Sequence, residues 1–322
     1  MKFPKRFMTV LFHLARLRPL MSWSGVSIII GVAIAVQQVG YQHVDWLLTI
    51  LAAIVCIGLQ YVAHPINDIV DYPVDVKANI EGTGRHKTLI SGLSTKKELM
   101  SISFVMVLAL LAATLFILTS RPTAILFGIV GFAALWMYNA PPFKLSYHPF
   151  SEAIISFPVN ASMVLGMCVV ACNQITPLAI YMALVQGFLA ATMLAAYFAM
   201  DVNSDSIGGK NSTTVKYPLL HWGTILAGAG LVYALITWAR WYMGVNPLLM
   251  VIPTIFMIAM FYLAFDVDNI RIRTYIKYGY GEDAHAKWAR AGTEMRGTLV
   301  KEMNLIYLHA VLFAVALLVL GA

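Results

Sequence analysis

Charge is what this sequence has least of. Asp, Glu, Lys and Arg make up 11% of its 322 residues, against 60% hydrophobic, and apolar runs recur along its whole length, which excludes a water-soluble globule. Cysteine is nearly as scarce. Cys56, Cys168 and Cys172 all fall within apolar runs, and Cys168 and Cys172 share one helix face, which excludes a disulfide framework or a zinc site and leaves packing. No linker, low-complexity tract or soluble domain interrupts the chain, so residues 1–322 read as one membrane-embedded domain. No basic stripe with interleaved aromatics accompanies the net charge of +7, so no nucleic acid is needed to explain it. The basic start MKFPKRFMTVLFHLARLRPL lacks a small-residue cleavage site and reads as leading into an uncleaved first helix.

What is present is a series of runs near the roughly 20 residues that cross about 30 Å of hydrocarbon. They place spans at 19–39, 46–64, 99–119, 123–139, 151–172, 177–200, 218–240, 247–265 and 303–322. The expectation is an all-α polytopic membrane protein with nine transmembrane helices, and short cap helices in segments 65–98 and 266–302. Positive charge supports that count: 20 of the 22 Lys and Arg residues fall on one side, leaving Arg121 and Arg240 on the other. That side is read as cytoplasmic, with the C-terminus outside and a prokaryotic plasma membrane as the default location.

Two acidic clusters stand out on the cytoplasmic side. Asn67, Asp68, Asp71 and Asp75 lie in HPINDIVDYPVD, and Asp201 and Asp205 in AMDVNSDSIGGK. Carboxylates beside hydrocarbon are costly and read as functional, and oxygen-only sets of this kind suit a hard cation such as Mg²⁺ with a diphosphate. On a continued helix, Asp68, Asp71 and Asp75 share a face at i, i+3 and i+7, as do Asp201 and Asp205 at i, i+4. Pro73 should disturb the first helix one turn earlier, which makes Asp75 the least secure member. The bland alternative is helix capping in water, and it has to hold for both clusters at once. Each cluster ends a span and is followed by basic and hydroxyl residues, GTGRHKTLISG and GGKNSTTVK, which suggests two related four-helix halves plus a final helix.

NDIVDYPVD at 67–75 and DVNSDSIGGKNST at 201–213 resemble the two aspartate motifs of the UbiA superfamily of intramembrane prenyltransferases. Lesser features agree: Arg18-Pro19, the basic loop with Arg85, Lys87 and Gly92, the Tyr138, Pro141, Pro142, Lys144 connection, and Glu152. The match runs from about residue 16 to 217, and departs in Pro73 and in a long charged segment after the eighth span. The resemblance implies a bundle around a central cavity open to lipid. In it Asn67, Asp68, Asp71, Asp75, Asp201 and Asp205 hold Mg²⁺ and diphosphate. Arg18, Arg85, Lys87, Lys144 and Lys210 contact phosphate oxygens, and Tyr138 and Tyr197 line the ionising carbon. The implied partners are a prenyl diphosphate, a lipophilic acceptor (a quinone-precursor aromatic or a glycerol phosphate lipid) and membrane lipid. A terpene cyclase on the same scaffold and a cation-dependent transporter or lipid-binding protein are the alternatives.

Other signals weigh less. GGKNST lacks the earlier Gly and the preceding strand of a P-loop. His64 reads as a helix-end histidine with a backbone partner, and Asn160 as either an acceptor contact or a helix-joining amide. Asp266 and Asp268 read as surface acids capping the segment that follows.

Overall fold

The computed structural model describes residues 3–78, 87–240 and 246–320, and these contain helices and turns but no strand. In chain order the helices are α1 (Phe3–Ala15), α2 (Leu17–Leu20), α3 (Val26–Val39), α4 (Trp46–Lys77), α5 (Lys96–Ser120), α6 (Ile125–Asn139), α7 (Phe157–Cys172), α8 (Pro177–Gly208), α9 (Thr213–Lys216), α10 (Trp222–Arg240), α11 (Leu248–Tyr278) and α12 (His285–Leu320). Single π-helical turns at Met21–Gly25 and Glu152–Ser156 lead into α3 and α7. Among the described residues eight helical segments are long and apolar enough to cross a membrane. The shorter apolar stretch Trp222–Trp238 stands where the seventh span is expected.

The helix starts are written locally. Asp45 accepts from the Leu48 amide at the head of α4, Thr95 and Glu98 form a reciprocal capping box on α5, and Thr176 with Pro177 opens α8. Packing then sorts the helices by composition. The Ala- and Gly-rich α8 lets neighbours approach closely, and 83% of its most apolar stretch is buried, against 17% for α5. Thus α8 is the central post, while α5 and α6 turn Phe104, Leu115 and Trp136 outward to lipid. One apolar core joins α3, α7, α8, α10, α11 and α12, and a second joins α4, α5 and α7.

Among the described residues, the long helices extend into both segments expected to hold short cap helices and take up most of 266–302. α4 continues to Lys77, α11 continues to Tyr278, and α12 begins at His285. Pro73 does not end α4: it sits on the exposed side, while ion pairs on the opposite face hold the last turns in place. Asp268 is also not a surface acid. It is 3% exposed and accepts from the backbone and hydroxyl of Thr224, because Arg271 one turn later neutralises it. Asp266 is exposed, as expected, and accepts from Thr298.

Candidate active site

The acids of motif one line one face of the last turns of α4, as their spacing requires. Asp68, Asp71 and Asp75 are each 2% exposed, with Asn67 half-buried beside them. Motif two lies at the end of α8, with Asp205 buried and Asp201 half-buried. The two helix ends meet at Gly208, where an added Cβ would sit 2.1 Å from Val74 Cγ1 and 3.2 Å from its Cβ. A β-branched side chain cannot swing away, so glycine sets this approach. Gly208→Ala is expected to lower turnover about ten-fold or more, the scale of a sub-ångström misplacement. Val74→Ala in the same chain should restore much of it; a fully active single variant would remove the role given to this contact.

One ammonium joins the two motifs. Gly209, at φ +84°, ends α8 in the left-handed region, and the Lys210 amide bonds back to Asp205 O at 2.9 Å. Lys210 Nζ then lies 2.8 Å from Asp71 Oδ2 and 3.5 Å from Asp205 Oδ1. Burial disfavours its charge, but the carboxylates of Asp205 and Asp71 outweigh that and raise its pKa above the ordinary lysine range, so it stays charged.

Tyr147, which sequence reasoning did not single out, donates its phenol to Asp71 Oδ1 at 2.9 Å. Its ring lies 5.0 Å from the ammonium groups of both Lys144 and Lys210, within cation–π range. Burial first, and the Asp71 charge second, raise the phenol's pKa, so it remains a donor at neutral pH. Lys144 itself has a left-handed backbone, φ +43°.

The remaining residues frame these carboxylates. Lys87 pairs with Asp75 and lies 3.7 Å from Asp71. Thr88 Oγ1, itself bonded by Ser94 at 2.9 Å, approaches Asp68 Oδ2 at 3.4 Å. Tyr138 lies within electrostatic reach of Lys210, Asp71, Glu152 and Asp205. Tyr197, one helical turn before Asp201, is within reach of Arg16 and Glu302 and directs its hydroxyl at Met303 Sδ, 3.8 Å away. Buried Glu152 accepts from Thr213 Oγ1 at 2.7 Å, and the same hydroxyl accepts from the Phe150 amide, tying the 144–152 connection to the segment after motif two. Arg18 is exposed; among the described residues the guanidinium that reaches the motif-one carboxylates is that of Arg16, 2.9 Å from Asp68 Oδ1. Arg85 lies outside the described residues.

Two residues discounted in the sequence have structural partners. His64 Nδ1 is 2.7 Å from Leu14 O. Asn160 donates to Ser156 O and accepts from Ser27, joining α7 to α3.

Among the described residues no three Asp, Glu, His or Cys side chains converge as a ready metal cage. The donor chemistry nevertheless fits Mg²⁺, which takes one or two carboxylates and completes its shell with waters and phosphate oxygens. The residues missed from sequence were Arg16, Thr88 and Tyr147. Only Arg16 left a trace, as the first base of Arg16-Leu17-Arg18 before Pro19.

A helical membrane bundle with two facing aspartate motifs, joined by lysine and flanked by tyrosines, has the makings of an intramembrane site for a diphosphate. The profile of the UbiA prenyltransferase family matches residues 25–272, and the chain belongs to that family. Solved structures agree in fold. A structure of digeranylgeranylglyceryl phosphate synthase aligns with a TM-score of 0.57 at 16% identity, covering 96% of this chain and 98% of that one. A UbiA homolog from Archaeoglobus fulgidus bound to GPP and Mg²⁺ aligns at 0.56 and 14%, covering 92% and 99%. The same homolog bound to DMAPP and Mg²⁺ aligns at 0.54 and 15%, covering 91% and 99%. A sequence comparison with curated proteins gives no match.

Proposed function

We propose that this prenyltransferase uses Mg²⁺ to bind an allylic prenyl diphosphate, releases pyrophosphate, and transfers the prenyl group to a lipophilic acceptor, an aromatic quinone precursor or a glycerol phosphate lipid. The observation that carries this reading is the bridge made by Lys210 between Asp71 of motif one and Asp205 of motif two. It brings carboxylates from two distant helices to one charged group, at the place where a diphosphate needs both metal ligands and cations.

Asn67, Asp68, Asp71, Asp75, Asp201 and Asp205 would hold Mg²⁺, which when bound neutralises charge on the leaving diphosphate. Lys87, Lys144 and Lys210 supply fixed positive charge to its oxygens, with Arg18 and Arg85 as further candidates. As the prenyl C1–O bond breaks, the electron pair leaves with pyrophosphate. The faces of Tyr138 and Tyr197 then stabilise the allylic cation while apolar walls keep water from trapping it. A cavity of about 80 Å³ lies between α4, α5, α6 and α7, lined by Leu59, Phe127, Gly131 and Met163. The distribution of Lys and Arg supports a cytoplasmic site with the N-terminus on the same side.

The test is product analysis with purified protein, Mg²⁺, geranylgeranyl diphosphate and a mixed pool of aromatic and glycerol phosphate acceptors. A prenylated acceptor is expected, with loss of turnover on chelation by EDTA and in Asp68→Ala and Asp201→Ala. Near wild-type activity in both variants would sink the site assignment. A cyclised product would make the chain a cyclase.

A further inference from the structure

The carboxylates of motif one each already carry a cation supplied by the chain. Lys210 is paired with Asp71, Lys87 with Asp75, and Arg16 with Asp68. The Asp68 side chain is 1% exposed, and the Asp71 and Asp75 side chains 3% each, so the acid of every pair is buried and its charge leans on the cation beside it. The lone pairs they use are among those a metal ion would take, and among the described residues no three-donor cage is formed.

Arg16 is the member best placed to let go. It lies outside both motifs, at the junction of α1 and α2, and its side chain is 33% exposed, against 12% for Lys87 and 10% for Lys210. Its backbone is left-handed, φ +42° and ψ +57°, a conformation that costs any residue with a Cβ. The junction is therefore held in a disfavoured geometry, with its guanidinium on Asp68. An arriving diphosphate offers that guanidinium a doubly bonded, more highly charged partner.

We propose that Arg16, with Lys87 and Lys210, is a resident counter-ion that releases its carboxylate only when a diphosphate arrives, so that metal binding at Asp68 is conditional on the diphosphate. This rests on the reading of the two motifs as a metal and diphosphate site, and adds a rule for how that site fills. A metal ion alone must displace a guanidinium that has nowhere better to go. A diphosphate takes the guanidinium and frees Asp68 in the same event. The site is thereby protected from collecting cations in the absence of substrate.

The experiment is Mn²⁺ binding to the full chain in nanodiscs, followed by the electron paramagnetic resonance signal of the free ion, with and without a thiolodiphosphate analogue of geranyl diphosphate. In wild type, the analogue is expected to tighten Mn²⁺ binding. Without analogue, Arg16→Gln is expected to bind Mn²⁺ about ten-fold or more tightly than wild type, the scale of one charge-assisted hydrogen bond. It should also lose most of the tightening by the analogue. Arg16→Lys keeps the charge at the junction and should behave as wild type, which guards against a folding artefact. Adding Asp68→Asn to Arg16→Gln should cancel the gain. Equal Mn²⁺ affinity of wild type and Arg16→Gln without analogue overturns the proposal and leaves the prenyltransferase reading standing. Absence of any tightening in wild type overturns both.

Discussion

Asp71→Ala is expected to abolish turnover and to destabilise the protein by about 3–5 kcal/mol, the cost of breaking a buried ion pair from one side. Asp71 takes the Tyr147 phenol on one oxygen and Lys210 on the other, with Lys87 at 3.7 Å. Removing it leaves the Lys210 side chain, 10% exposed, with the 3.5 Å contact to Asp205 and the face of the Tyr147 ring. Asp71→Asn separates the two effects. The amide oxygen can still accept a hydrogen bond, so the stability loss should shrink, while the charge required for chemistry is gone and turnover stays lost. Thermal unfolding in detergent beside product formation reads both. An Asp71→Ala protein that melts with wild type would show that Lys210 does not depend on this carboxylate.

The second large effect lies away from the carboxylates. Arg271 is fully buried and donates to Pro218 O, Leu220 O and Asp268 Oδ1, while Asp268 Oδ2 receives both the amide and the hydroxyl of Thr224. This cluster pins the 217–224 stretch to α11, and that stretch follows directly on Lys210, Thr213 and Thr214. Arg271→Met is expected to lose about 3–5 kcal/mol of stability, because it strips a buried carboxylate of its counter-charge. It should also speed amide exchange at Leu220 and Trp222. Asp268→Asn added to Arg271→Met removes the stranded charge and should recover part of the stability. If the double variant is no better than the single, the loss comes from the two carbonyl bonds and not from the charge.

These two cases mark how far the sequence was legible. Charged residues beside hydrocarbon stand out against an apolar background, so the acids of both motifs could be named in advance, and helical spacing put the acids on shared faces; Lys87 and Lys210 were named through the family resemblance. The spans were legible from the same apolar background, but their charged ends were not: the second was placed at 46–64, and its helix runs on to Lys77. A helix end that carries charge looks like a loop until its partners are known. α4 passes Pro73 because ion pairs on its other face hold it, and those partners come from residues 12 and 139 positions away. Asp268 illustrates the same blindness: a carboxylate near a span end reads as solvated unless the arginine one turn later is seen to be buried with it. Tyr147 and Thr88 are ordinary loop residues by type, and only tertiary placement aims their hydroxyls at carboxylates. Arg85 was named from the resemblance alone and falls outside the described residues.

The length of α4 has a kinetic consequence. Its 32 residues span about 48 Å at about 1.5 Å rise per residue, well beyond the roughly 30 Å of hydrocarbon. Asp68, Asp71 and Asp75 lie in the last third of this helix, past the length that hydrocarbon requires, and are buried on the inner face of the bundle. Under the proposed function, divalent ions would reach these carboxylates from a volume and obey bulk molarity. The proposed lipophilic acceptor would reach them from an area, and its effective dose would be its mole fraction in the bilayer. Diluting the vesicle suspension at fixed lipid composition should leave the acceptor term of the rate law untouched, whereas adding inert lipid at fixed total acceptor should slow the reaction as though substrate had been withdrawn.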